Sequence, residues 1–226
     1  MMKRKMIKWT ITLLLFSFPI SIQAQRFDNE VDILLKQKMP NHPHPILFIG
    51  SSSFTRWKDV QQYFPGCTIL NRGFGGSTLS DQIEFADRII FSVKPRQIVI
   101  YCGENDLAED SLINGKTVFH RFKKLYRLIR QHSKDVPVIY VSMKPSPSRM
   151  NLIPQMTKGN RLIKRMSAFR IGLNYAKVDQ QMLLPSGLPD PSLFVEDELH
   201  MNEKGYSIWQ NTLTPLLIND LSCTKP

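Results

Sequence analysis

Pro45-Ile46-Leu47-Phe48-Ile49-Gly50-Ser51-Ser52-Ser53-Phe54-Thr55-Arg56-Trp57 is the stretch from which the fold can be read. Ile46 to Ile49 is an apolar run with no polar alternation, the pattern of a strand buried on both faces in a parallel sheet. Gly50 ends it, since a residue without a Cβ allows a tight turn, and three serines follow before a segment able to open a helix. A hydroxyl there stands at the carboxyl end of a parallel strand, the edge of an open α/β sheet where ligands bind. Backbone amides at a helix start point toward the same place and favour negative charge. Taken alone, Gly-Ser-Ser-Ser reads first as a loop with a helix cap, so its meaning depends on what lies downstream.

The same pattern recurs. Cys67 to Leu70, Gln97 to Cys102, Val136 to Met143 and Tyr175 to Val178 each read as a short strand. Between and after them come segments with helical spacing: Ser77 to Phe91, Thr117 to His132, Gln155 to Gly172 and Asn202 to Leu217. A short helix over Asp28 to Met39 precedes the first strand. This alternation predicts an α/β fold, a parallel sheet with helices on both faces. Arg121, Lys123, Lys124, Arg127 and Arg130 lie mostly off the apolar stripe of their helix and read as a solvated face. Lys144 to Pro154 and Gln181 to Val195, rich in proline and polar residues, read as surface loops able to wall a site. Asn41-His42-Pro43-His44-Pro45 breaks any helix, and its histidines, with no partnering cluster, read as loop residues rather than metal ligands.

At 226 residues, 42% hydrophobic and 22% charged, the chain has room for one domain with a sizeable core. Its first residues differ from the rest. Lys3, Arg4, Lys5 and Lys8 form a basic head, Trp9 to Ile22 is largely apolar, and Ala24 supplies a small residue. This predicts a secretory signal peptide over residues 1–24 and a single domain over 25–226. The apolar stretch is short for a membrane span and contains Pro19, so a periplasmic or secreted protein is expected, with no stable membrane insertion after cleavage. The basic head accounts for four of the +11 net charge, leaving +7. Export, and the lack of a basic motif interleaved with stacking aromatics, argue against nucleic acid as a partner. Cys67, Cys102 and Cys223 cannot all pair within one chain, and the first two, at strand ends, read as buried apolar residues. They lack metal-site spacing, and no metal or organic cofactor is expected.

Polar groups gather at the strand ends. Asn71 to Thr78 contains Gly73, Gly75 and Gly76, which demand unusual backbone angles or a close approach of the main chain. Their spacing does not match a dinucleotide-binding loop. Gly103-Glu104-Asn105-Asp106 follows the third strand, where the Asn105 carboxamide can cap a helix or donate to an oxyanion. Before the last helix stands Asp197-Glu198-Leu199-His200. A carboxylate and an imidazole three residues apart can face one side of a turn, so that Asp197 holds the Nδ1 proton and Nε2 serves as a base. Read alone this is a common cap. Joined to a serine after the first strand, it makes the chain order Ser, Asp, His seen in α/β hydrolases.

With these four blocks in register, the chain resembles the SGNH hydrolases, also called the GDSL esterase/lipase family. Gly50-Ser51-Ser52-Ser53 is similar to the first block, Asn71 to Thr78 to the second, Gly103 to Asp106 to the third, and Asp197 to His200, running on to Tyr206, to the last. The resemblance implies a triad of Ser52, His200 and Asp197, and an oxyanion hole from Ser52, Gly76 and Asn105. The first block departs from the usual Gly-Asp-Ser, with Ser51 where the aspartate stands. The flanking Ile-Gly and Phe-Thr-Arg-Trp favour Ser52 over Ser51 and Ser53 as the nucleophile. The implied protein is an exported serine esterase with a flavodoxin-like three-layer α/β/α sandwich of about five parallel strands. With export, the resemblance suggests that it removes a short acyl group, such as acetyl, from a carbohydrate. A lysophospholipase or other lipid acylhydrolase is the alternative enzyme. A catalytically degenerate carbohydrate-binding protein is the alternative from another class.

Overall fold

The computed structural model describes residues 26–220, so the leader expected over residues 1–24, and Cys223, lie outside the described residues. Five strands, β1 (Ile46–Gly50), β2 (Ile69–Asn71), β3 (Gln97–Tyr101), β4 (Val138–Val141) and β5 (Leu173–Ala176), form one sheet in the order β2-β1-β3-β4-β5. Every neighbouring pair is parallel. This is the flavodoxin-like order, in which the sheet grows one way from β1 and the other way from β3; ligands bind at that switch point.

The apolar runs are unbroken because alternate residues serve two cores. Leu47, Ile49, Ile98, Ile100, Val138 and Tyr140 enter one core. It is covered by α1 (Asp28–Leu35), α4 (Leu79–Glu84), α5 (Ala86–Ile89), α6 (Glu104–Glu109), α7 (Gly115–His132) and α8 (Ile153–Ser167). Ile46, Phe48, Val99, Tyr101, Ile139 and Val141 enter the other, covered by α2 (Ser52–Thr55), α3 (Val60–Tyr63) and α9 (Glu203–Leu213). This second core is strongly aromatic: Trp57 stacks on Tyr206 at 4.8 Å and Phe54 meets Trp209 edge-on at 5.9 Å. Among the described residues, no helix is long and apolar enough to cross a membrane.

Several expectations need correction. The segment Ser77 to Phe91 is two helices: Thr78 and Asp81 form a capping box at the start of α4, and the backbone leaves helical geometry at Phe85. Strand β5 begins two residues earlier than expected, at Leu173. Residues 104–109, of which Asn105 reads from the sequence as a candidate helix cap after the third strand, form α6, with Asn105 inside its first turn rather than capping it. The solvated face of α7 includes a structural group, because Arg121 pairs at 2.7 Å with the buried Asp106. The segment Lys144 to Pro154 is not wholly a surface loop. Lys144 and Ser146 are buried, and Pro147–Leu152 forms a 3-10 turn leading into α8.

Candidate active site

Gly50 ends β1 with φ 143°, and a Cβ at this position would lie 1.9 Å from the Tyr101 carbonyl oxygen. A side chain here would force β1 away from β3, so glycine lets the chain turn directly into α2 at the sheet edge. The Ser51 N–H donates to the Tyr101 carbonyl at 3.0 Å, and its side chain makes no cap bond to α2. From the other side, the Tyr206 hydroxyl donates to the Ser53 carbonyl at 2.9 Å and Asn71 Nδ2 donates to the Phe54 carbonyl at 2.7 Å. Ser51 and Ser53 are buried, whereas Ser52 is partly open to solvent.

His200 arrives on a tight turn. The Glu198 N–H donates to the Val195 carbonyl and the Val195 N–H to the His200 carbonyl, both at 2.9 Å, with Glu198 at φ 56°. Asn202 caps α9 by accepting from the N–H groups of Lys204 and Gly205, and its Nδ2 donates back to the Ser192 and Phe194 carbonyls. The result is a continuous hydrogen-bond chain. Asp197 Oδ2 lies 2.6 Å from His200 Nδ1, and His200 Nε2 lies 2.9 Å from Ser52 Oγ. Asp197 Oδ1 accepts from the N–H groups of His200 at 2.8 Å and Leu199 at 3.0 Å. Burial pushes the Asp197 carboxyl up, but these donors and the His200 ring outweigh it and hold the group well below the usual carboxylate range. A carboxylate can only accept, so Nδ1 carries the proton and Nε2 is left to accept from the serine hydroxyl.

The segments after β1, β2 and β3 carry further N–H donors at the same sheet edge. Gly76 adopts φ 75°, a left-handed conformation that favours glycine. Neither its backbone N–H nor that of Ser52 has an acceptor among the described residues. Asn105, in the first turn of α6, donates from Nδ2 to the Ser77 carbonyl at 3.0 Å and accepts at Oδ1 from Arg149 Nη2 at 2.9 Å. Its second Nδ2 hydrogen remains for another acceptor. Such a group of polarised N–H bonds can stabilise charge on a tetrahedral oxyanion.

Three charged residues beside this site were not singled out by their sequence. Lys144 Nζ lies 3.4 Å from both Glu104 oxygens, and Arg149 Nη1 lies 3.8 Å from Glu104 Oε2. Burial holds the Lys144 amine below the ordinary lysine value against the opposing pull of Glu104. A signal was available: Lys144 to Arg149 follow β4, and so reach the same sheet edge as the segments after β1 and β3. His42 and His44 sit in a loop, and among the described residues no group of three or more His, Cys, Asp and Glu side chains could hold a metal. Cys67 and Cys102 are buried and free.

Comparison with known proteins accords with this architecture. The model of the GDSL-like Lipase/Acylhydrolase family matches residues 49–208. Among solved structures, the chain is similar to a Streptococcus pneumonia protein named for platelet activating factor, with TM-score 0.73 and 18% identity over 84% of this chain and 90% of that one. It is similar to a GDSL-like lipase from Bacteroides thetaiotaomicron, with TM-score 0.66 and 20% identity over 85% and 96% of the two chains. It is also similar to a carbohydrate esterase family 3 protein from Talaromyces cellulolyticus, with TM-score 0.62 and 15% identity over 80% and 100%. At these identities the likeness is one of fold. No curated protein sequence matches the chain. The family match, however, runs from the end of β1 into α9, well over half the chain, and on that ground the protein belongs to the GDSL-like lipase/acylhydrolase family and is an ester-hydrolysing enzyme.

Proposed function

We propose that the protein is an exported serine esterase that removes a short acyl group, acetyl above all, from a carbohydrate. The observation that carries the mechanism is the chain from Asp197 through His200 to Ser52 Oγ, with links of 2.6 Å and 2.9 Å, at the carboxyl edge of a parallel sheet. Ser52 Oγ attacks the ester carbonyl as Nε2 of His200 takes its proton, and Asp197 holds the imidazolium that forms. The backbone N–H groups of Ser52 and Gly76 and Nδ2 of Asn105 receive the oxyanion. Collapse returns the proton from His200 to the leaving alcohol and leaves an acyl-serine. Water, deprotonated by His200, then releases the acid and restores the hydroxyl. No step calls on a cofactor.

Export is supported by the basic and apolar leader, the carbohydrate by the carbohydrate esterase among the structural neighbours, and the acetyl group by an acetyl esterase of similar fold. A lipid ester is the second reading, favoured by Met150, beside Arg149, and Val195, whose N–H donates to the His200 carbonyl, both large apolar side chains exposed to solvent. The assay uses the mature protein with p-nitrophenyl acetate, followed by acetylated sugars and p-nitrophenyl esters of graded chain length. Ser52→Ala should abolish turnover and fluorophosphonate labelling; retained turnover would overturn the assignment. Rates that climb with chain length would move the substrate from sugar to lipid.

A further inference from the structure

Arg149 has no part in the mechanism above, yet it touches it. The residue lies in the Pro147–Leu152 turn with dihedrals outside the helical range, φ −125° and ψ 29°. Its side chain is 17% exposed, with Nη2 donating to Asn105 Oδ1 at 2.9 Å and Nη1 at 3.8 Å from Glu104 Oε2. The preceding residue reaches the other half of the machinery: the N–H and Oγ of Ser148 both donate to the Glu198 carbonyl, at 3.2 Å and 3.0 Å, within the turn that joins Asp197 to His200. Two consecutive residues therefore tie the carboxamide on α6 to the turn that carries the base.

The chemistry of these contacts selects one orientation of Asn105. A guanidinium has only donors, so it must meet the oxygen end of the carboxamide; the Ser77 carbonyl only accepts, so it must meet the nitrogen end. With both ends assigned, the second N–H of Nδ2 is held in place rather than shared between two flipped states. A cation on Oδ1 also draws electron density out of the amide and strengthens Nδ2–H as a donor. Glu104, adjacent to Asn105 in sequence and braced by Lys144, keeps the guanidinium from turning away.

We propose that Arg149 is a positioning residue of the oxyanion hole: held by Glu104, it locks and polarises the Asn105 carboxamide so that Nδ2 faces the developing negative charge. This rests on the serine esterase reading. Its action runs through Asn105 alone, which distinguishes it from a general contribution to folding.

The test is a double-mutant cycle on p-nitrophenyl acetate with wild type, Arg149→Ala, Asn105→Ala and the pair. Asn105→Ala should lower kcat by about 10²–10³-fold. Arg149→Ala should lower kcat by about 10-fold with KM changed less than about twofold, and Arg149→Lys, which can still donate to Oδ1, should recover part of the loss. In the Asn105→Ala background, Arg149→Ala should add less than about twofold, because the group it acts on is gone. Wild-type kcat in Arg149→Ala, or its full effect persisting without Asn105, would overturn the proposal. If Arg149→Ala melts early, Arg149→Gln takes its place in the cycle. Fluorophosphonate labelling reports on the nucleophile separately. A labelled, active wild type with no coupling between 105 and 149 removes the inference and leaves the esterase, whereas an unlabelled, inactive wild type removes both.

Discussion

Two pairs of acid and base stand at the same edge of the sheet and are built in opposite ways. Asp197 and His200 are three residues apart and meet at 2.6 Å, with the aspartate side chain 40% exposed. Glu104 and Lys144 come from separate segments, lie 3.4 Å apart and are almost wholly shut off from water. In the rim pair, backbone donors and neighbouring solvent share the stabilisation of the carboxylate, which is what the proposed role of His200 as a base requires. In the buried pair Lys144 depends on Glu104, and Glu104 on Lys144 with Arg149 beside it, because there is little water to replace a lost partner. Proximity in sequence and access to solvent suit a pair to chemistry; distance in sequence and burial suit a pair to holding segments together.

Removing the proposed base should separate the two roles most strongly. His200→Ala should lower ester turnover on the order of 10⁴-fold or more, while the melting temperature moves by less than about 3 °C. A large loss of stability would mean that the rim pair is structural too. Lys144→Met should do the reverse in kind: Glu104, left in the interior with the Arg149 cation at 3.8 Å to face it, should cost up to about 3–5 kcal/mol, read by chemical denaturation. The double variant Glu104→Gln, Lys144→Met should regain most of that loss. If Lys144→Met is as stable as wild type, Arg149 or water is already sufficient for Glu104, and the contrast with the rim weakens.

The smallest effect lies in the pH dependence. With its folded value depressed, the Asp197 carboxyl contributes stability that is complete above the ordinary carboxylate value and is lost as pH falls through the folded one. Asp197→Asn should therefore flatten the acid limb of stability below about pH 4, and exposure keeps its effect at neutral pH within about 1 kcal/mol. Lys144 has a linkage of the same sign in a more alkaline window. With its value lowered by burial against the pull of Glu104, stability rises as pH climbs from the folded toward the unfolded lysine value. An acid limb unchanged in Asp197→Asn would show that its hydrogen bonds are no tighter in the folded chain than outside it.

The central strands were legible because a strand covered on both faces has no position for a polar residue, and Ile46 to Ile49 and Ile98 to Tyr101 obey that rule throughout. The edge strand β5 was misplaced by two residues because Asn174 is exposed there and interrupts the run. The break between α4 and α5 was hidden for the opposite reason: it falls at Phe85, a buried apolar residue that continues the stripe on which a helix is recognised. Asn105, Asp197 and His200 could be named as candidates because each stands where a strand or turn delivers a polar group to one edge, whereas Ser52 among three serines and Gly76 among three glycines were picked out by the family resemblance. The partnership of Arg149 with Asn105 could not be named, since Lys-Pro-Ser-Pro-Ser-Arg has the composition of an exposed loop.

Periodicity, strand ends and turn chemistry belong to a residue's own neighbours along the chain, so the amino-acid sequence by itself determined the layered α/β class, the positions of the inner strands and the residues presented at their ends. Which strands lie side by side, and what covers a given charge, depend on segments far away. Placing β1 beside β3 brought the segments that carry Ser52 and Asn105 to the same edge of the sheet, and the 197–200 turn brought His200 Nε2 to 2.9 Å from the Ser52 hydroxyl. Packing at the edge after β4 buried Lys144 against Glu104 and turned Arg149 onto Asn105. Burial and long-range pairing are properties of the assembled fold, and only the tertiary structure could decide them.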